Sequence, residues 1–197
     1  MNRKYKIIAL FGESGAGKDT IQKKLLEILP NSHGIISCTT RPKRDYEIDG
    51  KDYYFISKEK MQELINNNDM LETSIFNNWY YGTGKISLDI NKINIGVFNI
   101  QGLKSLNNRF DVDLCPIYVY ASPATRLLRV LTREESPDCH EICRRFLADE
   151  EEKIYDFAKI KINNDTNNNL NNLLYDIYDC EEFYTILNNW SKELNNS

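Results

Sequence analysis

One junction constrains this chain more than any other: an apolar run that ends in a glycine-rich loop. Residues 5–11, YKIIALF, are followed at once by GESGAGKDT at 12–20. A short apolar run bounded by glycine is the pattern of a buried parallel strand. Beyond the loop, Ile21, Leu25, Ile28 and Leu29 recur at helical spacing, and Pro30-Asn31 stops the repeat. Strand, glycine loop and helix in immediate succession turn backbone N–H groups inward around an anion, at the positive end of the helix. Gly12, Gly17 and Lys18 meet the pattern G-x-x-x-x-G-K-[ST], with Gly15 between them, until its last position, where Asp19 stands in place of a hydroxyl residue.

The remainder alternates in kind. GIISCTT (34–40), DGKDYYFIS (49–57), GVFNI (96–100), CPIYVYA (115–121) and AKIKIN (158–163) read as strands. KEKMQELINNN, SPATRLLRVLTR (122–133) and a charged stretch over about 138–158 read as helices, and Leu170, Leu173, Leu174, Ile177 and Leu187 suggest a closing amphipathic helix. Strands alternating with helices imply an α/β fold, a parallel sheet with helices on both faces. A length of 197 residues suits one such domain.

A net charge of −4 argues against a nucleic-acid partner. No apolar run approaches the ~20 residues of a membrane span. The start MNRKYKIIALFG has a basic lead, but its apolar stretch, Ile7 to Phe11, is too short for a signal core, so a cytoplasmic protein is expected. Five cysteines, an odd number without C-x-x-C spacing, read as free thiols in a reducing compartment. The group Cys139, His140 and Cys143 lacks an evident fourth metal ligand.

Two further segments, SCTTRPKRDYEIDGKDYYF (37–55) and MLETSIFNNWYYGTG (70–84), give the chain a resemblance to the guanylate kinases, which phosphorylate GMP from ATP. The likeness runs from the loop at 12 to about 165. It implies a three-layer phosphate-loop fold with a β-rich acceptor-binding region and a helical lid. The core would be about 1–36, 93–125 and 155–197, the acceptor region about 37–92 and the lid about 126–154. ATP would be held by Gly12, Ser14, Gly15, Ala16, Gly17, Lys18, Asp19 and Thr20, with Lys18 on its terminal phosphates and Asn163 of KINND near the adenine. Arg41, Arg44, Tyr53 and Tyr81 match residues that hold the GMP phosphate, and Ser37 lies in the same pocket. Glu72 and Thr83 match the residues that read guanine, and Asn99 belongs with the GMP positions. Arg133 and Arg145 match lid arginines that close over ATP phosphates, and Arg126, Arg129 and Arg144 lie nearby.

The chemistry suits those roles. A guanidinium fork fits phosphate oxygens. One carboxylate accepts both N1–H and N2–H₂ of guanine, whereas adenine offers an acceptor at N1, and sites of that kind reject the mismatched base by about 10⁴-fold. The implied co-substrate is ATP with Mg²⁺, the partners are small nucleotides, and the chain would act as a monomer or homodimer.

Three features depart from the family pattern. TREESPD stands where the family shows Arg-Gly-Thr, Asp19 replaces a hydroxyl residue, and VFNIQG puts Asn99 where an acid usually supports the Mg²⁺ hydration shell. One carboxylate is thus lost at 99 and one gained at 19. Mg²⁺ takes one or two carboxylates plus phosphates, so Asp19 is expected to supply the missing charge, with the Thr20 hydroxyl beside it. Ribose 1,5-bisphosphate kinases are similar in the GKD and Asn features but lack the guanine reader and much of the TTRPKR…DGKDYYF block, both of which this chain retains, including Glu72, Arg44 and Tyr53. A kinase of relaxed nucleotide specificity is a further alternative. A catalytically silent binding module of the same fold typically degrades the loop, which retains Gly12, Gly17 and Lys18.

Overall fold

The computed structural model describes residues 3–45, 47–76, 78–133, 136–151, 155–165 and 180–195. At its centre lies β1 (Tyr5–Phe11), flanked by β7 (Ile93–Val97) and β8 (Val112–Tyr120), with β2 (Ser32–Gly34) and β9 (Ile160–Asn163) outside them. The order is β2-β7-β1-β8-β9, and all four pairings are parallel. Successive side chains of β1 alternate between faces, as a strand requires. Ile8 and Leu10 pack with Ile21 and Leu25 of α1 (Lys18–Ile28) and with Phe183, Leu187 and Trp190 of the last helix, α6 (Glu181–Asn195). Ile7, Ala9 and Phe11 pack on the other face with Leu103 and Leu106 of α3 (Ile100–Asn107). Lys6, 3% exposed, ties the base of the sheet to α6: its ammonium bonds Asp113 and Glu193 and lies 5.9 Å from the centre of the Trp190 ring.

A second, four-stranded sheet has the order β4-β3-β6-β5. It comprises β3 (Cys38–Thr39), β4 (Tyr54–Phe55) and the hairpin β5 (Met70–Phe76) and β6 (Trp79–Gly84), with α2 (Lys58–Asn66) packed through Met61. The hairpin pairs Glu72 with Thr83 and Ser74 with Tyr81. A bulge between Met70 and Glu72 breaks the alternation, so Met70, Leu71 and Glu72 are all buried. At the turn, Asn78 takes φ 64°, which asparagine tolerates better than most residues. Over the top of the central sheet lie α4 (Pro123–Leu131), capped by Ser122, and α5 (Cys139–Glu151).

Several boundaries differ from the sequence reading. GIISCTT is not one strand: 32–34 pairs with β7, and 38–39 belongs to the second sheet. Between them Ile35 is buried beside Phe98 and donates its N–H to Ile95 O, so the apolar run crosses from one sheet to the other. GVFNI begins in the strand but leaves it after Val97, because the Asn99 side chain accepts the Gly102 N–H and starts α3. Of the stretch 138–158 read as one helix, Cys139–Glu151 is α-helix and Tyr155–Phe157 is a turn of 3₁₀ helix. Leu170, Leu173, Leu174 and Ile177 lie outside the described residues, and Leu187 belongs to α6. No described helix is long and apolar enough to cross a membrane.

Phe183 is fully buried between α6 and the sheet. Phe183→Ala is expected to cost about 3–5 kcal/mol, the usual range for an emptied aromatic site. Urea unfolding followed by circular dichroism measures it, as a lower midpoint at an unchanged slope.

Candidate active site

The glycine loop lies across the carboxyl ends of the central strands. Gly12 has φ 142°, and a Cβ there would stand 2.0 Å from Val119 O. Gly17, at φ 91°, caps α1, and a Cβ on it would meet the Asn164 amide at 2.3 Å. Both positions therefore admit only glycine. Lys18 folds back on its own loop, donating to Gly12 O at 2.8 Å and Glu13 O at 2.9 Å, and burial pushes its ammonium pKa down. Neighbouring acids, Asp19 first, oppose that shift. Gly12, Ser14, Gly15, Lys18 and Asp19 line a cavity of about 1090 Å³, while Ala16 is buried behind them.

The acceptor side of the same cavity is built from the second sheet and the segment before it. Glu72 is 7% exposed, and its Oε1 accepts the Thr83 hydroxyl at 2.9 Å; Ser37 Oγ lies 3.4 Å from that hydroxyl. Burial raises the Glu72 pKa to about 7, against the two hydrogen bonds from Thr83. Asn99 lines the cavity, but both ends of its amide are engaged. Its Oδ1 caps α3 through Gly102 N–H at 2.8 Å, and its Nδ2 donates to Ser74 Oγ at 2.7 Å. Asparagine caps a helix as well as aspartate does, and as a neutral side chain it adds no charge beside Glu72.

Arg41 stands on the wall of this pocket. Glu47 grips its guanidinium through two hydrogen bonds, at 2.7 and 2.5 Å, and the Tyr53 and Phe55 rings lie 5.1 and 5.3 Å from it. Burial would raise the Glu47 pKa, but Arg41 and the Arg44 N–H hold it below the usual carboxylate range. Burial, with the charge of Asp19 next, pushes the Tyr53 hydroxyl up to about 12. Arg44 and Tyr81 line the same wall. Glu47 went unassigned in the sequence reading; an acid six residues after Arg41 in a loop otherwise rich in cations was its only signal.

From above, α5 contributes Arg144 and Arg145, both bonded to Glu141, and Arg144 faces the Phe76 ring at 5.4 Å across the pocket. Arg133 lines the cavity at the end of α4. Two expected ATP contacts lie elsewhere. Thr20 is exposed on the first turn of α1 and does not line the cavity. Asn163 is exposed as well, because β9 alternates inward at Ile160 and Ile162 and outward at Lys161 and Asn163. Its neighbour Asn164 turns inward and donates to Ala16 O at 2.8 Å, while Arg129 donates to Asn164 O at 2.8 Å.

A parallel sheet, a glycine loop opening into α1, and a facing arginine–tyrosine pocket define a phosphate-loop α/β protein of the nucleotide-binding class. The family model for guanylate kinase matches residues 4–178. The chain is 37% identical to the guanylate kinase of Helicobacter pylori (strain J99) over 123 residues, a match that spans 60% of this chain and 59% of that protein. It is 35% identical to the guanylate kinase of Nostoc sp. over 167 residues, or 81% of this chain and 82% of the relative. A crystal structure of guanylate kinase from Anaplasma phagocytophilum shares the fold with TM-score 0.56 at 21% identity, covering 98% of this chain and 86% of that one. This chain belongs to the guanylate kinase family.

Only the ionised Glu72 can accept from two adjacent N–H donors, so binding of GMP, used as a probe of this pocket, is expected to weaken as pH falls through about 7. Binding at pH 6 should be about tenfold weaker than at pH 8 from this group alone. The GMP phosphate also titrates near pH 6, so Glu72→Gln, which keeps the shape and lacks the proton, supplies the baseline. Isothermal titration of both proteins with GMP at the two pH values checks the difference.

Proposed function

We propose that this chain transfers the γ-phosphoryl group of ATP to GMP or dGMP, giving ADP and GDP or dGDP. The observation that carries the proposal is the buried Glu72–Thr83 pair, set below an arginine–tyrosine cluster and facing a complete glycine loop across one cavity. A buried carboxylate with one oxygen bonded keeps acceptor capacity for further donors, and guanine offers two adjacent ones. A phosphate oxygen of GMP attacks the γ-phosphorus in line, the bond to the β,γ-bridging oxygen breaks, and ADP leaves. No protein nucleophile is needed, and the protein's work is placement and neutralisation of charge.

Arg41 and Arg44 hold the acceptor phosphate. Arg41 is preorganised by Glu47, and Tyr53 keeps its proton and so stays a donor. Lys18 exchanges its loop carbonyls for phosphate oxygens. Arg133, Arg144 and Arg145 cover the transferred group from the lid. Asp19, exposed on the first turn of α1 and lining the cavity beside Lys18, fits a cation that takes one carboxylate together with phosphates. Asp19 would hold Mg²⁺ there, where the ion supplies positive charge between the phosphates and that carboxylate. The chain acts in the cytoplasm on small nucleotides.

An ADP-release assay with ATP and Mg²⁺ tests the proposal against GMP, dGMP, AMP, UMP, dTMP and ribose 1,5-bisphosphate. Turnover is expected with GMP and dGMP alone. Turnover of the sugar bisphosphate without GMP, or of no acceptor by folded protein, overturns it. A second expectation concerns the metal: Asp19→Ser raises the Mg²⁺ concentration needed for half-maximal rate by about tenfold, the effect of one lost charge-assisted contact. Rate measured against free Mg²⁺ at saturating nucleotides gives that midpoint.

A further inference from the structure

The lid places a carboxylate on the phosphate loop. Oδ2 of Asp149, on α5, accepts the Ser14 N–H at 2.9 Å and the Arg126 guanidinium at 3.0 Å. Arg126 also reaches Ser14 O at 3.4 Å and lies against the Phe146 ring at 4.6 Å. It is 6% exposed, and its Nε is buried with no hydrogen-bond partner among the described residues. An arginine so enclosed is not a solvated helix face. Asp149 lines the cavity and acts electrostatically on Lys18, whose ammonium it helps keep protonated. A backbone amide, a guanidinium and a nearby ammonium converging on one anionic oxygen form the donor set of a phosphate. A carboxylate and a phosphoryl oxygen cannot both occupy it, since like charges in contact repel strongly away from bulk water.

We propose that Asp149 is an internal anion holding the place of a terminal phosphate of ATP, and that Arg126 passes from Asp149 to that phosphate when the nucleotide binds. This rests on the loop being the ATP site. The exchange keeps the buried guanidinium paired throughout, which avoids the large cost of leaving it alone. It also sets ATP affinity below what the loop alone would give, because the carboxylate must first leave Ser14. Arg126 is then a phosphate-binding residue, and Asp149 a competitor for the same donors.

Calorimetric titration with ATP and Mg²⁺, without acceptor, separates the two ends of the pair. Asp149→Asn is expected to bind ATP about fivefold more tightly, as the competing anion is lost. Arg126→Leu should bind it about tenfold more weakly, as a charged contact is lost. Both should bind AMP, which lacks the terminal phosphates, like the parent chain. Opposite signs across one ion pair are not produced by a packing role. Where Arg126→Leu melts early, Arg126→Leu/Asp149→Leu replaces the pair by apolar contact, and it is expected to bind ATP about fivefold more tightly than Arg126→Leu. Unchanged or weaker ATP binding by Asp149→Asn overturns the exchange, as does weakening of both single variants in step with their melting temperatures. If the parent chain binds ATP and Lys18→Ala does not, such a result removes the exchange alone. If neither the parent nor any variant binds ATP, the reading of the loop falls with it.

Discussion

The structure depends on how closely one backbone can approach another at the carboxyl end of β1. Gly12 lies against Val119 O of β8, and a Cβ on Gly15 would sit 2.6 Å from Arg126 O of α4. Gly17 lies against the Asn164 side chain beyond β9. Three elements distant in sequence are thus pressed onto one loop, and each contact exists because a side chain is missing. The loop is therefore wedged by the strands around it and does not merely connect β1 to α1. Its amides are preorganised, which is the condition under which backbone dipoles stabilise a phosphate without reorganisation.

Much of the charge around that loop is handled by pairing. Glu47 holds Arg41, Glu141 holds Arg144 and Arg145, Asp149 holds Arg126, and the loop carbonyls hold Lys18. Without these partners the cavity would be an uncompensated cluster of cations. The pairings differ in character. Glu47 also bonds the Arg44 N–H and so belongs to the scaffold, whereas Asp149 stands in the cavity itself. Among the described residues Glu72 has no cation as a hydrogen-bond partner, and its raised pKa is the cost of holding a carboxylate in a desolvated place.

Much of this was legible before any coordinates. The run YKIIALF-GESGAGKDT announces strand, loop and helix through local chemistry alone, and Arg41, Arg44, Tyr53, Glu72 and Tyr81, singled out from two short segments, line one cavity. What could not be read depends on tertiary context. Asn163 and Asn164 differ only in which side of β9 they occupy, and that parity is set by where the strand begins. Arg126 looks like any polar residue on a helix until α5 lies over it. The crossing at Ile35 and the cap at Asn99 both interrupt apolar runs that, taken alone, look like continuous strand. The hairpin of residues 70–84 mixes aromatics, asparagine and glycine, so it shows no clean alternation, and its bulge removes what little there was.

That hairpin gives base selection an unexpected address. Glu72 and Thr83 are eleven positions apart, and only the strand register brings them together. The register is held by the bulge at one end and by the left-handed turn at Asn78 at the other. A slip of one residue would turn Thr83 to the opposite face and leave Glu72 without its partner. On the guanine-reading role proposed for Glu72, base selection is therefore written partly in a turn at Asn78 that does not line the pocket. Drift in that turn would reshape the Glu72–Thr83 pair while every residue lining the pocket stayed the same.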